Sequence, residues 1–221
     1  MNRRARSESD LNLDDESPST VDLPPLEPLP RSDQPFNSPG WSDATNPLLP
    51  RHREPRRIST SSISLYLEVY QERGYGIWPV VDVDVLLARL LTHSDDMEAY
   101  ALATAICAAT ISQFQMDTQT GSPVEGHLRM SSAVFEAESK RARNEFDHME
   151  QITLGSLLST FFLHVYSADI GRMSASTILL GEAITKAHMT GLHKPSYYQA
   201  LDTEQQQHSL RVYWLLFITE R

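Results

Sequence analysis

From Ile58 onward, apolar positions recur every three or four residues, the spacing of a helix with one buried face. Seven helical segments follow from that pattern. The first runs over about Ser61–Arg73 and places Ile63, Tyr66, Leu67 and Tyr70 together; Gly74-Tyr75-Gly76 ends it, and Trp78-Pro79 turns the chain. The second, about Asp82–Leu91, carries Asp82 and Asp84 in its first turn, where the positive helix end favours carboxylates. The third, about Asp95–Gln115, is apolar on two sides (Leu102, Ala105, Ile106 and Ala109; Tyr100, Ala103, Cys107 and Ile111) and is expected to be the close-packed central helix. The fourth, about Val124–Arg143, is the most polar, with Lys140, Arg141 and Arg143 in the last turn, where cations suit the dipole. The fifth, about Ile152–Ala168, has the stripe Leu154, Leu157, Leu158, Phe161 and Val165, with Gly171 as its cap. The sixth, about Ala175–Thr190, aligns Leu180, Ala183, Ile184 and Ala187 and closes at Gly191.

The seventh segment, Asp202–Arg221, is the one the others must accommodate. Asp202 and Gln205 have the form of a capping box, in which a carboxylate takes an orphan helical N–H and a glutamine three residues on reaches back. Leu210, Tyr213, Trp214 and Phe217 fall on one face and are expected to be buried; Gln205, His208, Ser209, Arg211 and Thr219 fall on the other. Strand-like alternation and Asn-Gly or Asp-Gly hairpin signals are missing. Short connections make sequential helices antiparallel neighbours, so the expected fold is all-α, a stack of about seven helices in hairpins over residues 58–221.

Residues 1–57 break this pattern. Ten of the thirteen prolines lie there with only two aromatics, Phe36 and Trp41, so the stretch reads as a disordered tail. Asp10–Leu29 mixes acids with Leu and Val, which suits either an activation segment or a solvated linker. Arg51, Arg53, Arg56 and Arg57 form a basic knot that reads either as a nuclear import patch or as a charged linker end.

Charge narrows the function. A net charge of −10 argues against direct DNA binding over a broad surface, which needs cations to neutralise phosphates. The longest nearly apolar run, Ala99–Ile111, is too short to span a bilayer, so no membrane partner is expected. The single cysteine, Cys107, permits neither an internal disulfide nor a cysteine-rich zinc site.

No reaction is named by the remaining chemistry. Asp82-x-Asp84 lacks the Gly and distant Glu of a calcium loop, and Gly74-x-Gly76 follows a helix where a dinucleotide fingerprint follows a strand. The eight histidines form no zinc-enzyme pattern, and neither a phosphate-cradling P-loop nor a serine elbow is present. Catalytic, cofactor-binding and metal-ligating residues are therefore assigned to none. A helical small-molecule enzyme would need His164 and His188 beside Asp169 around a cavity.

Three blocks carry a resemblance. Tyr70-Gln-Glu-Arg-Gly-Tyr-Gly-Ile-Trp-Pro-Val-Val-Asp-Val-Asp84, Glu182-Ala-Ile-Thr-Lys-Ala-His-Met-Thr-Gly-Leu-His-Lys194 and Arg211-Val-Tyr-Trp-Leu-Leu-Phe-Ile-Thr-Glu-Arg221 resemble, in order, motifs of the fungal-specific transcription factor regulatory domain, or middle homology region. The matched positions include Trp78, Pro79, Gly191, Leu192, His193, Arg211 and Trp214. The flavour of the first and last blocks is similar to regulators of sugar, quinate and related catabolic genes.

The resemblance implies a nuclear regulator of RNA polymerase II transcription that answers to a small-molecule inducer and to protein partners, either the transcription machinery or a full-length regulator. It departs from the family in three ways. The family's DNA reader is a binuclear zinc cluster held by several cysteines, so zinc and DNA binding belong to a module these residues do not supply. The basic triplet is here Ser209-Leu210-Arg211. The family domain also continues past the last helix, which is therefore expected to leave an exposed apolar patch around Trp214 and Phe217, as in a truncated or stand-alone product. The competing reading is an all-α interaction scaffold unrelated to transcription.

Overall fold

Alanines decide the centre of this fold. Ala99, Ala101, Ala103, Ala105, Ala108 and Ala109 let neighbouring helices approach α3 (Met97–Gln113) from every side, and each residue from Ala99 to Ile111 is buried. The computed structural model describes residues 57–116 and 130–221. The expectations for residues 1–56 and 117–129, including the disordered tail, the acidic-hydrophobic stretch and Arg51, Arg53 and Arg56, lie outside the described residues.

The described residues are all-α, with no strand among them. α1 (Thr60–Val69) leads into a π-helical turn (Tyr70–Gly74), followed by α2 (Val83–Thr92) and α3. α4 (Ser132–Glu145) and α5 (Leu154–Asp169) pack most extensively on α3, and α6 (Met173–Thr190) packs on α5. α7 (Pro195–Gln199) is short, and α8 (Thr203–Glu220) closes the order.

The structure corrects the expected elements in three places. The first helix does not run to Arg73 as one α-helix, because Tyr75 N–H donates to the Tyr70 carbonyl at 2.7 Å, five residues back. The Tyr70 ring lies under Gly74, where a Cβ would meet it at 2.7 Å, so only glycine permits this turn. The fourth helix is entered at Ser132, with Met130 and Ser131 outside it, and the expected start at Val124 lies outside the described residues. A short helix outside the seven expected segments, α7, opens at Pro195, at the position where the missing proline N–H costs nothing. Gly191 caps α6 as expected, in the left-handed conformation at φ 86°.

The capping box of α8 is formed: Gln205 N–H donates to Asp202 Oδ1 at 2.8 Å and Asp202 N–H to Gln205 Oε1 at 3.3 Å. Asp202→Ala should cost about 1 kcal/mol, read as a shift of the denaturation midpoint with unchanged slope.

The buried face of α8 is not the one expected. Ser209, Val212 and Leu216 face inward, whereas Leu210 and Trp214 are 41% and 54% exposed. Periodicity located a stripe, but two overlapping stripes run along this helix, and the smaller one fits between the helices beneath.

Candidate functional site

α8 touches the rest of the fold at both ends, and each end meets one of the other two motif blocks. At its start, His208 Nε2 donates to the Val80 carbonyl at 2.7 Å; a carbonyl only accepts, so this nitrogen carries the proton. Arg211 Nη1 donates to the Tyr75 hydroxyl at 3.3 Å. At its far end, Tyr213, Leu216 and Phe217 line a small hollow of about 170 Å³ with Ile184, His188 and His193. Leu192, next to the Gly191 cap, is buried.

Between the start of α8, the turn 75–82, α2 and the first turn of α5 lies a cleft of about 540 Å³. Its floor is apolar, made by Val80, Val81, Leu86, Leu102 and Leu158. Its rim is polar: Tyr75, Asp82, Arg89, Asp202, Glu204, His208 and Arg211. The rim charges are held in place. Asp82 Oδ1 caps α2 by accepting from Val85 N–H at 3.0 Å. Arg89 is clamped by Asp96 at 2.8 Å and Glu98 at 2.9 Å.

The turn rests on an aromatic cluster. Phe162 of α5, fully buried, meets Tyr70, Trp78 and Phe161 edge to face at 5.8, 5.9 and 5.5 Å between ring centres. The Tyr70 hydroxyl donates to the Trp78 carbonyl, and burial pushes that phenol upward from its ordinary value. Trp78 is buried and Pro79 half-buried, so these motif positions hold the cleft wall up from behind.

A second polar cluster joins α4, α5 and α6. Glu182 Oε1 accepts from Arg143 at 2.6 Å, Lys186 at 2.8 Å and Thr160 at 3.1 Å, with His148 Nε2 at 3.6 Å. Arg143, one of three cations expected to suit the dipole in the last turn, is buried, while Lys140 pairs with Glu136 and Arg141 with Glu138 and Glu145. Burial works against the Glu182 charge, but the Lys186 bond and the two cations outweigh it and hold the carboxyl below its usual range. Burial, reinforced by the Arg143 and Lys186 charges, also depresses the His148 imidazole. Both folded values are lowered, so both contributions to stability are present above the unfolded values and are lost as pH falls through the folded ones. Unfolding temperature should therefore drop on acidification, first across the histidine range and then across the carboxylate range. His148→Gln should flatten only the first part of that limb in a thermal series.

The enzyme geometry does not form. His164 bonds Ser176 at 2.9 Å, Asp169 pairs with Ser112, and His188 meets His193 edge to face at 5.1 Å between ring centres. No group of three His, Cys, Asp or Glu suited to a metal occurs among the described residues. A binuclear zinc cluster does not fit these residues either, since Cys107 is the one cysteine in the sequence and is fully buried in α3, where burial pushes its thiol up. The import-patch residue Arg57 is tied to the folded part, donating to the Ser94 carbonyl and lying 5.7 Å from the Tyr100 ring centre. The patch expected around Trp214 and Phe217 is present: Trp214 and Ile218 are exposed, and the rings of Trp214 and Phe217 meet at 5.4 Å.

Comparison with known proteins finds relatives in yeasts. The probable sucrose utilization protein SUC1 of Candida albicans is 35% identical over 158 residues, 70% of this chain and 30% of its own length. The maltose fermentation regulatory protein MAL13 of Saccharomyces cerevisiae is 28% identical over 166 residues (75% and 34%), and the respiratory transcription factor ZNF1 of the same yeast 25% over 165 (75% and 35%). The chain thus spans about a third of the length of these relatives. No protein-family model matches, and no solved structure does. No helix among the described residues is long and apolar enough to cross a membrane.

Proposed function

We infer that this chain, which belongs over its helical part to the middle homology region of the fungal zinc-cluster transcription regulators, works as the regulatory and interaction domain of a transcription regulator for sugar-use or related metabolic genes. The observation that carries this reading is the 35% identity over 158 residues with the sucrose utilization relative. It is supported by the maltose and respiratory relatives being named as regulators, where an enzyme or a general scaffold would lead to other company. The charge agrees: a net-acidic chain is poorly suited to neutralising phosphates and better suited to contacts with proteins. Its partners are proteins of the transcription machinery or a longer regulator, its inducer is a small molecule, and it makes no direct DNA contact. Zinc is no part of its work.

The test is a reporter in yeast. The full chain fused to an unrelated DNA-binding domain should change reporter output at least several-fold and respond to carbon source. An unchanged reporter with a well-expressed fusion would overturn the reading. The nucleus is the place of action, carried by the basic knot. A fluorescent fusion with Arg51, Arg53 and Arg56 changed to Ala should lose nuclear enrichment, while Arg57, which contacts the folded part, is left intact.

A further inference from the structure

We propose that the outward face of α8 pairs with the same face of a second copy of this chain, the two helices lying antiparallel about a two-fold axis. Glu204, Gln207, Arg211, Trp214, Ile218 and Arg221 are all exposed and recur at alternating steps of three and four residues. That is the spacing of a coiled-coil seam. It runs along the side of the helix opposite Ser209, Val212 and Leu216, which seat α8 on the fold. Leu210, exposed, and Phe217, half-buried, flank it on one side.

The order of side chains along the seam selects the occupant. In an isologous interface every contact occurs twice, so a surface fits only if it complements itself. Paired from its two ends inward, this seam does. Glu204 meets the partner's Arg221, Gln207 meets the partner's Ile218, and Arg211 meets the partner's Trp214, a cation over an aromatic face. On the flank, Leu210 meets the partner's Phe217. The charges are available for this, since no ion pair among the described residues involves Glu204, Arg211 or Arg221. Arg211 bonds only the neutral Tyr75 hydroxyl, and Arg221 lies 4.5 Å from the Phe217 ring centre.

Other arrangements lose the match. A parallel pair would set like charges together at every charged position. Sliding the antiparallel pair by one heptad either sets Arg211 against the partner's Arg221 or leaves Ile218 and Arg221 with no helix opposite. The matched register also lays the positive start of each helix beside the negative end of the other. Trp214 and Arg211 fall at its middle, and these residue types dominate the centres of interfaces. The stripe Leu210, Trp214 and Phe217 that periodicity expects to be buried is then covered by a second copy. The contact is about 27 Å long and one helix wide, small against a standard interface, so the dimer is reversible and fills with concentration.

Sedimentation equilibrium of the purified full chain over a concentration series is the test. It should show a monomer–dimer equilibrium and nothing larger, because an isologous contact closes on itself. Glu204→Arg and Arg221→Glu should each weaken the dimer at least tenfold, since each sets like charges together twice. The chain carrying both substitutions should recover the dimer. An equimolar mixture of the two single variants should recover it too, because acid again meets arginine at both ends, and a misfolded helix could not produce that recovery. A chain that stays monomeric throughout, whether water or its own residues 1–56 cover the face, overturns the proposal. So do single variants that dimerise like the parent chain, or a mixture that fails to recover. The reporter measurement is independent of these outcomes, so a failure here leaves the regulatory reading standing.

Discussion

Glu182→Ala is expected to lower the free energy of unfolding by about 3–5 kcal/mol. One oxygen of this carboxylate serves Arg143, Lys186 and Thr160 together, and the side chains of Arg143 and Lys186 are only 5% and 4% exposed. Removing it leaves two buried cations facing each other with no anion between them. Glu182 itself is 21% exposed, so water entering the gap offsets part of the loss and places the result toward the lower end. Lys186→Met makes the complementary case. It deletes the surplus cation and keeps the Arg143–Glu182 pair, while Ser156 and Thr160 retain other partners. It should cost far less than Glu182→Ala. Chemical denaturation of both variants decides the matter: equal losses would mean that packing, and not charge balance, is what the cluster contributes.

That cluster also shows where sequence reading stops. Arg143 sits in the last turn of a polar helix, where a cation facing water and a cation facing α6 look alike. The difference lies 39 residues downstream, in Glu182. Local signals suffice elsewhere: the Asp202 box, the Gly191 cap, the alanine-rich centre and the face Ile63, Leu67 and Tyr70 are all where periodicity and capping place them. These depend on neighbours within one or two turns.

The cleft was legible only in part. Tyr75, Val80 and Arg211 lie in blocks that resemblance singles out, but nothing in their spacing says that the blocks touch. His208 falls on the polar face of the periodicity, and its bond to Val80 spans 128 residues. The buried face of α8 escapes periodicity for a related reason. Large aromatics at Trp214 and Phe217 outweigh Val212 in any hydrophobic count, yet the space beneath α8 admits Ser209, Val212 and Leu216. Shape, set by the other helices, decided against size.

Phe162→Ala is expected to destabilise the fold by about 3–5 kcal/mol and, in addition, to loosen α8. The first effect follows from deleting a fully buried ring that meets three others edge to face. The second follows from what the ring supports. Phe162 fixes Trp78, the turn after Trp78 presents the Val80 carbonyl, and that carbonyl holds His208. With the ring gone, the turn relaxes into the cavity and the acceptor moves. Phe135→Ala supplies the control. Phe135 is equally buried, but it packs edge to face on Tyr66 at 5.1 Å, on the side of α4. Hydrogen exchange under native conditions should show the amides of α8 losing protection selectively in Phe162→Ala, and only in proportion to global stability in Phe135→Ala. Equal loss of α8 protection in the two variants would show that the turn does not transmit the position of Trp78 to α8, and would remove the mechanical link between the core and the cleft.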